Sequence, residues 1–289
     1  MKLGRWGVWC ALHGLEREAL AALAQRTERL GYAALWYPES RGYESFALGG
    51  FLLGHTERLI LATGIANIYA RDAVTMKQGQ HSLGRLYGPR FLLGLGVSHV
   101  PSVEGLRGHT YGRPVATMSA YLDAMARAAE AAPPLPEPPT TVLAALGPRM
   151  TDLGGAKAQG IHPYNITPER TAWARERLGP GPLICSEQKV LLVTEPSRAR
   201  EVAAEALAHY LALPNYRNNW RRMGYTEDDL AGRGSDRFLD AMVAWGTPEQ
   251  VRARLQAHLD AGADHVCLQP LHPDGGRAPH LEALDALAP

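Results

Sequence analysis

The sequence predicts a (β/α)8 TIM barrel, and three observations carry that prediction. Apolar runs of strand length alternate with helical patterns along the whole chain, as a parallel sheet wrapped by helices requires. Runs such as Leu59–Ile68 and Phe91–Val97 are apolar at successive residues, so both faces of those strands are expected to be buried. The 289 residues suffice for one such barrel, and no Gly-x-Gly-x-x-Gly follows the first strand, which weighs against an open dinucleotide-binding sheet.

Leu3–Trp9 is the first strand. Glu16–Leu30 has apolar residues at helical spacing and stops at Gly31, a residue suited to a helix C-terminus. Ala33–Tyr37 is the second strand, closed by Pro38, and Glu44–His55 the second helix. Leu59–Ile68 is the third strand, after which Asp72 caps a helix that runs to Tyr87. Phe91–Leu95 is the fourth strand, followed by a Gly-rich loop from Gly96 to Pro114 and a helix to about Ala131. The PPLPEPP run at Pro133–Pro139 is stiff and extended. The βα pattern resumes at once with Thr141–Ala145, so this run reads as a connection within one domain of residues 1–289. Gly147-Pro148 opens the next helix, with Pro in the first turn where its missing N–H costs little. Gly160–Pro163 is the sixth strand, Thr167-Pro168-Glu169 a capped helix start, Ser186–Thr194 the seventh strand and Pro196–Leu211 its helix. Between Leu213 and Ala244 the pattern loosens into short helical pieces. Thr247-Pro248-Glu249 opens a helix to about Ala261, Asp264–Leu268 is the eighth strand, and a last helix ends near Ala288.

Composition narrows the function. With 30 basic and 29 acidic residues the formal net charge is +1, which offers no electrostatic footprint for nucleic acid or an acidic membrane. The N-terminal MKLGRWGVWCALHG lacks the apolar core of a signal peptide, and no run approaches the roughly 20 apolar residues of a membrane helix. Cys10, Cys185 and Cys267 are far apart and form no C-x-x-C, so a disulfide framework or zinc ribbon is not expected. The chain lacks His-Glu-x-x-His and Gly-x-Ser-x-Gly; GLGVSH at Gly94–His99 resembles the latter but lacks its second Gly. A cytoplasmic protein acting on a small molecule is expected, with no metal and no nucleic-acid or membrane partner.

In such barrels the chemistry sits at the C-terminal ends of the strands. His13 follows the first strand and offers an imidazole that titrates near neutral pH; it reads as a general acid or base, or as a solvated loop residue. Glu39 follows the second strand, either to handle a proton, to orient a ligand or to cap the next helix. Asn67 ends the third strand, where a buried amide needs a polar partner. Gly96, Val97, Ser98 and His99 follow the fourth. Gly147, Pro148, Arg149 and Met150 place free N–H groups at a helix start, suited to an anion such as phosphate. Asn165 and Thr167 begin the following helix and offer further donors, or ordinary caps.

The segments LGYAALWYPES (Leu30–Ser40), RLILATGIANIYARD (Arg58–Asp72), RFLLGLGVSH (Arg90–His99), LAALGPRM (Leu143–Met150) and WGTPEQVRARLQAHLDAGADHVCLQP (Trp245–Pro270) together resemble the bacterial luciferase-like monooxygenase superfamily, in its branch of coenzyme F420-dependent oxidoreductases. The resemblance implies a barrel that binds a deazaflavin or flavin at the strand ends; an oxidoreductase that passes a hydride between F420 and an organic substrate is expected, with an FMN-dependent monooxygenase or a flavin-binding protein without turnover as the alternatives. It implies a non-prolyl cis peptide at Gly64-Ile65 behind the cofactor ring. The ring edge would then meet Glu39, Asn67 and Gly96-Val97-Ser98, and the phosphate would meet Gly147–Met150 and Asn165–Thr167. Arg113 and Arg149 would face the cofactor's acidic tail. Relatives that oxidise sugar phosphates carry Asp-His after the second strand; Glu39-Ser40 stands here instead, which argues against a sugar phosphate and moves proton handling to His13, with Glu39 second. Relatives also often dimerise, and apolar faces on Glu44–His55 and Ala73–Tyr87 suggest a homodimer burying more than roughly 1,000 Å².

Overall fold

Parallel neighbours cannot be joined by a hairpin, so each strand of this chain needs a crossover, most of them helical. In the computed structural model, which describes residues 1–276 and 278–289, the order is β1 (Trp6–Trp9), α1 (Arg17–Arg29), β2 (Ala34–Tyr37), α2 (Ser45–Gly54), β3 (Ile60–Thr63), β4 (Ala66–Asn67), α3 (Ala73–Tyr87), β5 (Phe91–Gly96), a π-helix (Pro101–Leu106), α4 (Pro114–Arg127), β6 (Thr140–Leu143), α5 (Pro148–Lys157), β7 (Gly160–Ile161), α6 (Pro168–Leu178), β8 (Leu183–Leu191), α7 (Pro196–Leu211), α8 (Pro214–Arg222), α9 (Asp236–Met242), β9 (Val243–Trp245), α10 (Pro248–Asp260), β10 (His265–Pro270) and α11 (Leu281–Ala286). Strands β1, β2, β3, β5, β6, β7 and β8 pair in parallel in that order; β8 pairs β10, and β10 returns to β1. The sheet therefore closes into the eight-strand barrel expected from the sequence, with helices around it. At the seam Trp6 lies opposite Val266, and His265 opposite Cys185.

The strands are apolar at successive residues because each has two buried faces. Leu35, Leu61, Leu93, Leu143 and Val266 pack outward with the apolar stripes of the helices. Their chain neighbours Trp36, Ala62, Leu92, Val142 and Cys267 fall in a second cluster, which fills the barrel interior and continues under α7, α8 and α9. Trp36 and His265 form a polar pair inside the barrel. The Trp36 indole donates to His265 Nε2 at 3.0 Å, and His265 Nδ1 lies 2.6 Å from the Gly4 carbonyl. Burial pushes the His265 imidazole down to about 4, so the ring is neutral in neutral solution.

Three elements differ from the sequence reading. The third strand is not continuous: it breaks after Thr63 and resumes as β4, with a cis peptide at Gly64-Ile65 as the resemblance implied. Neighbouring strands impose the break. Gly64 N–H donates to the Tyr37 carbonyl, Glu39 N–H donates to the Ile65 carbonyl, and the Thr63 hydroxyl substitutes for a ladder partner by bonding both the N–H and the carbonyl of Gly94. The Gly96–Pro114 segment is not only loop but contains the π-helix. Finally, Val243–Trp245 is strand β9, which pairs with the C-terminal half of β8 and fastens the end of the loose segment to the barrel.

Connections at the other end of the barrel are held by side chains. Glu28, near the end of α1, accepts the N–H groups of Glu57, Arg58 and Leu59 at 3.1, 2.6 and 2.7 Å, satisfying the turn that leads into β3. Burial raises its carboxyl, but the three N–H bonds outweigh it and hold the group below its ordinary 4.5. Glu28→Ala is expected to lower the unfolding free energy by about 1–3 kcal/mol at neutral pH, against little change for the exposed Glu18→Ala in the same urea titration. A folded-state value below the unfolded one means that this stabilisation is present above 4.5 and fades as acid protonates the folded carboxylate, so the two proteins converge in stability at low pH.

Candidate active site

A cleft of about 1190 Å³ opens at the C-terminal end of the barrel, bounded by the loops after β1, β2, β4, β5, β6, β7 and β10 and by one side of α7 and α8. Of the residues expected there, His13, Glu39, Gly64, Ile65, Asn67, Gly96, Val97, Ser98 and Gly147–Met150 all line it. His13 is exposed at the mouth, with its backbone packed against Gly42, where any side chain would collide with it. Ser98 takes a left-handed backbone (φ 57°), which turns the chain at the end of β5, and its carbonyl accepts the Tyr111 hydroxyl at 3.2 Å.

Glu39 has its oxygens occupied. One accepts the Asn67 N–H at 2.8 Å, and Arg71 donates to both. The same guanidinium reaches Glu44 at 2.6 Å, whose other oxygen caps α2 by accepting from Phe46 and Ala47. The Glu39 and Arg71 side chains are 5% and 8% exposed. Through these bonds Glu39 ties β4, with Asn67 on it, to the end of β2 and to Arg71.

The expected anion site is half corrected. Gly147 does stand at the N-terminus of α5, followed by Pro148 at the first helical position. Asn165 and Thr167 do not line the cleft wall. Asn165, in a left-handed conformation (φ 54°), donates its N–H to Glu187; its side-chain oxygen accepts from the Lys189 ammonium at 2.6 Å and its carbonyl from the Trp220 indole at 3.1 Å. Thr167 sits at the start of α6 without a side-chain cap bond. The side chain that α6 sends toward this corner is Arg170, which donates to the Leu146 carbonyl at 2.6 Å and lies over the Trp173 ring. Arg222 of α8 is the further residue that the sequence reading missed: it lies 3.7 Å from where a Cβ on Gly147 would be. Among the described residues none of Arg149, Arg170 and Arg222 is paired with a carboxylate. Burial, then the charges of Arg222 and Arg177, push the Arg170 guanidinium down to about 10. Arg113, by contrast, is exposed before α4 and lies outside the cleft wall.

The rest of the wall is aromatic. Trp9, Tyr164, Tyr210, Tyr216 and His99 line it. Behind Tyr164, inside the barrel, lie Glu187 and Lys189 of β8, 3.2 Å apart with side chains 1% exposed. Burial pushes the Glu187 carboxyl up and the Lys189 ammonium down from their ordinary values. Their signal in the sequence was two charges at alternate positions of a strand, either side of Gln188. On the cleft floor, Trp9 Nε1 and His162 Nε2 are buried without a hydrogen-bond partner, and both point at the space that Gly64 leaves by lacking a side chain. His162 Nδ1 is taken by the Cys185 carbonyl at 2.7 Å, and burial pushes its imidazole down to about 4. Among the described residues no group of three or more His, Cys, Asp or Glu is placed to hold a metal, and no helix is long and apolar enough to cross a membrane.

Residues 5–265 match the family model of the luciferase-like monooxygenases. Over 165 residues the chain is 30% identical to a Mycobacterium tuberculosis protein provisionally named a coenzyme F420-dependent oxidoreductase; the match spans 56% of this chain and 47% of that one, about half the relative's length. Among solved structures, an F420-dependent secondary alcohol dehydrogenase holding an F420-acetone adduct superposes with a TM-score of 0.76 at 12% identity, over 99% of this chain and 97% of its own. The FMN-bound oxygenating component of 3,6-diketocamphane monooxygenase from Pseudomonas putida superposes with a TM-score of 0.67 at 14% identity, over 99% and 96%. At these identities the structural likeness is one of fold.

The Glu39–Arg71 pair can be tested by a mutant cycle. Arg71→Met leaves Glu39 buried without its cation and is expected to cost about 3–5 kcal/mol in chemical denaturation. Glu39→Gln in that background is expected to recover part of the loss, because the remaining amide is uncharged.

Proposed function

The chain belongs to the luciferase-like monooxygenase family, and from that premise we propose that it is an oxidoreductase using coenzyme F420, a deazaflavin, on a small organic substrate. The observation that carries the proposal is the corner at Gly147. Arg149 and Arg222, neither paired with a carboxylate among the described residues, line the cleft beside a helix N-terminus, with Arg170 behind them on the Leu146 carbonyl; the unsatisfied N–H groups and the helix dipole there favour an anion. A phosphate on a flavin-like cofactor fits that donor set. The small residues Gly64 and Gly96 and the Asn67 amide lie on the floor of the same cleft, where the ring would rest. The name of the mycobacterial relative points to the same cofactor.

Bound F420 supplies a hydride donor or acceptor at C5 of its ring. The protein's own work is to position two partners and manage one proton. In this reading Arg149 and Arg222 hold the phosphate with Arg170 behind them, and Glu39 keeps Asn67 aimed at the ring edge. His13 handles the proton at the mouth of the cleft. His99 is a second candidate: it is half-buried at the end of β5, and burial pushes its imidazole below the ordinary 6.5, with the nearby His209 acting in the same direction. FMN remains the second reading for the cofactor, because it shares ring, ribityl chain and phosphate with F420 and is what the Pseudomonas structure holds. Arg107 and Arg149 on the outer cleft favour F420, whose tail adds carboxylates beyond the phosphate. The proposal includes a cytoplasmic location and a homodimer through α2 and α3, where Val74 and Leu86 stay 44% and 72% exposed; light scattering at micromolar concentration reports the dimer.

Equilibrium titration tests the cofactor. F420 is expected to bind more tightly than FMN, and tighter FMN binding would bring the monooxygenase reading forward. Gly147→Asp is expected to weaken F420 by at least about tenfold, since the new carboxylate would sit beside Arg222 and take the place of the anion. His13→Ala is expected to lower turnover by about 10²-fold with cofactor affinity unchanged; full turnover in that variant would pass the role to His99.

A further inference from the structure

We infer that the half of the cleft away from Gly147 is the substrate compartment, and that it takes an uncharged ring compound bearing a carbonyl or hydroxyl oxygen. The inference rests on the reading of the Gly147 half as the cofactor's. The compartment has a continuous aromatic wall. Trp9 and Tyr164 have ring centroids 5.2 Å apart, Tyr164 and Tyr210 5.5 Å, Tyr210 and Tyr216 4.9 Å, and Tyr216 and His99 5.9 Å. Such faces suit a flat apolar ligand.

The charges behind that wall are spent. The Lys189 ammonium lies 3.9 Å from the Tyr164 ring centroid on its buried side, and it is answered by Glu187 and Asn165. Among these rings a charged substrate would lose its hydration and meet no counter-ion; the Glu205 carboxylate stands outside them at the exposed rim, accepting the Gly276 N–H. A bare hydrocarbon fits no better, because polar groups stand among the rings. Tyr164 donates its hydroxyl to Gln269 Oε1 at 2.7 Å and meets the Tyr210 hydroxyl at 3.0 Å, and all three residues line the cleft. A ligand oxygen joining that cluster gives the orientation that ring stacking alone does not. Helix α8 borders both compartments. It carries Tyr216 to the aromatic wall and Arg222 to the anion corner, six residues and about 9 Å apart along its axis, so a phosphate held at one end leaves the other open.

The test is isothermal titration calorimetry with 2-naphthol and 2-naphthyl phosphate, in excess inorganic phosphate to fill the anion corner, with and without F420. 2-Naphthol is expected to bind at least about tenfold more tightly than its phosphate ester. Tyr164→Phe, which keeps the ring and removes the hydroxyl, is expected to weaken 2-naphthol about fivefold; Tyr216→Ala removes part of the wall and is expected to weaken both ligands. Circular dichroism confirms that each variant is folded, and Tyr210→Phe serves in place of either that is not. Equal or tighter binding of the phosphate ester overturns the inference. So does 2-naphthol affinity unmoved by the tyrosine substitutions, or no 2-naphthol binding with or without F420. The F420 titration separates the two readings: if F420 binds and 2-naphthol fails, only the substrate compartment falls, and if 2-naphthol behaves as stated while F420 does not bind, only the cofactor assignment falls.

Discussion

The carboxylate of Glu39 takes the backbone N–H of Asn67 and both arms of the Arg71 guanidinium, and Arg71 passes on to Glu44, whose other oxygen caps α2. Four segments meet in that chain of charge-assisted bonds: the end of β2, the short strand β4, the turn into α3 and the start of α2. β4 needs such a tie. It is two residues long and pairs only with β5, so the barrel ladder alone holds it weakly. Tyr121 adds a bond from α4 to the Arg71 carbonyl at 2.8 Å, which extends the tie across the neighbouring crossover. The floor of the cleft is thus set by an ion pair that is itself almost wholly buried, where partners are strong and loss of either one is costly.

Much of the fold was legible because local chemistry and tertiary demand agree. Asp72 caps α3 as its position suggests, and Thr247 with Gln250 forms a full capping box at α10. Doubly apolar strands announced a closed parallel sheet. Failures arise where a distant neighbour decides. The apolar pattern of Leu59–Ile68 reads as one strand, and only the family resemblance pointed to Gly64-Ile65, because the break is fixed by partners distant in sequence, the carbonyl of Tyr37 and the backbone of Gly94. The same holds for the site. His13, Asn67 and Gly147 could be read from their places after strands, whereas Arg222 and Tyr216 arrive from a helix in the loosely patterned segment and meet Gly147 and Tyr164 only in three dimensions. Asn165 and Thr167 occupied the right place in the sequence, but the charges of β8 hold Asn165 inward: its backbone N–H donates to Glu187 and its side-chain oxygen accepts from Lys189.

The two buried charges of β8 fit this division of labour. A salt bridge this deep adds little net stability compared with apolar residues of the same size. It does hold Asn165, and through it the Trp220 indole, so α8 is located against the barrel by a polar contact as well as by packing. The aromatic residues of α8 continue the same contact, with Trp220 packed edge-on against Phe238 at 4.7 Å.

The attachment of the segment between α7 and β9 has an evolutionary consequence. It is pinned at one place by Trp220 and at its far end by the pairing of β9 with β8, yet its helix α8 supplies wall residues to both ends of the cleft. A lineage can therefore exchange residues on the inner side of α8, and so change what the protein accepts, while the barrel, its seam and the Glu39 tie stay as they are. Paralogues of this chain should diverge earliest at Asn215, Tyr216, Asn218 and Arg222, and latest at Trp220, whose indole secures the helix that carries them.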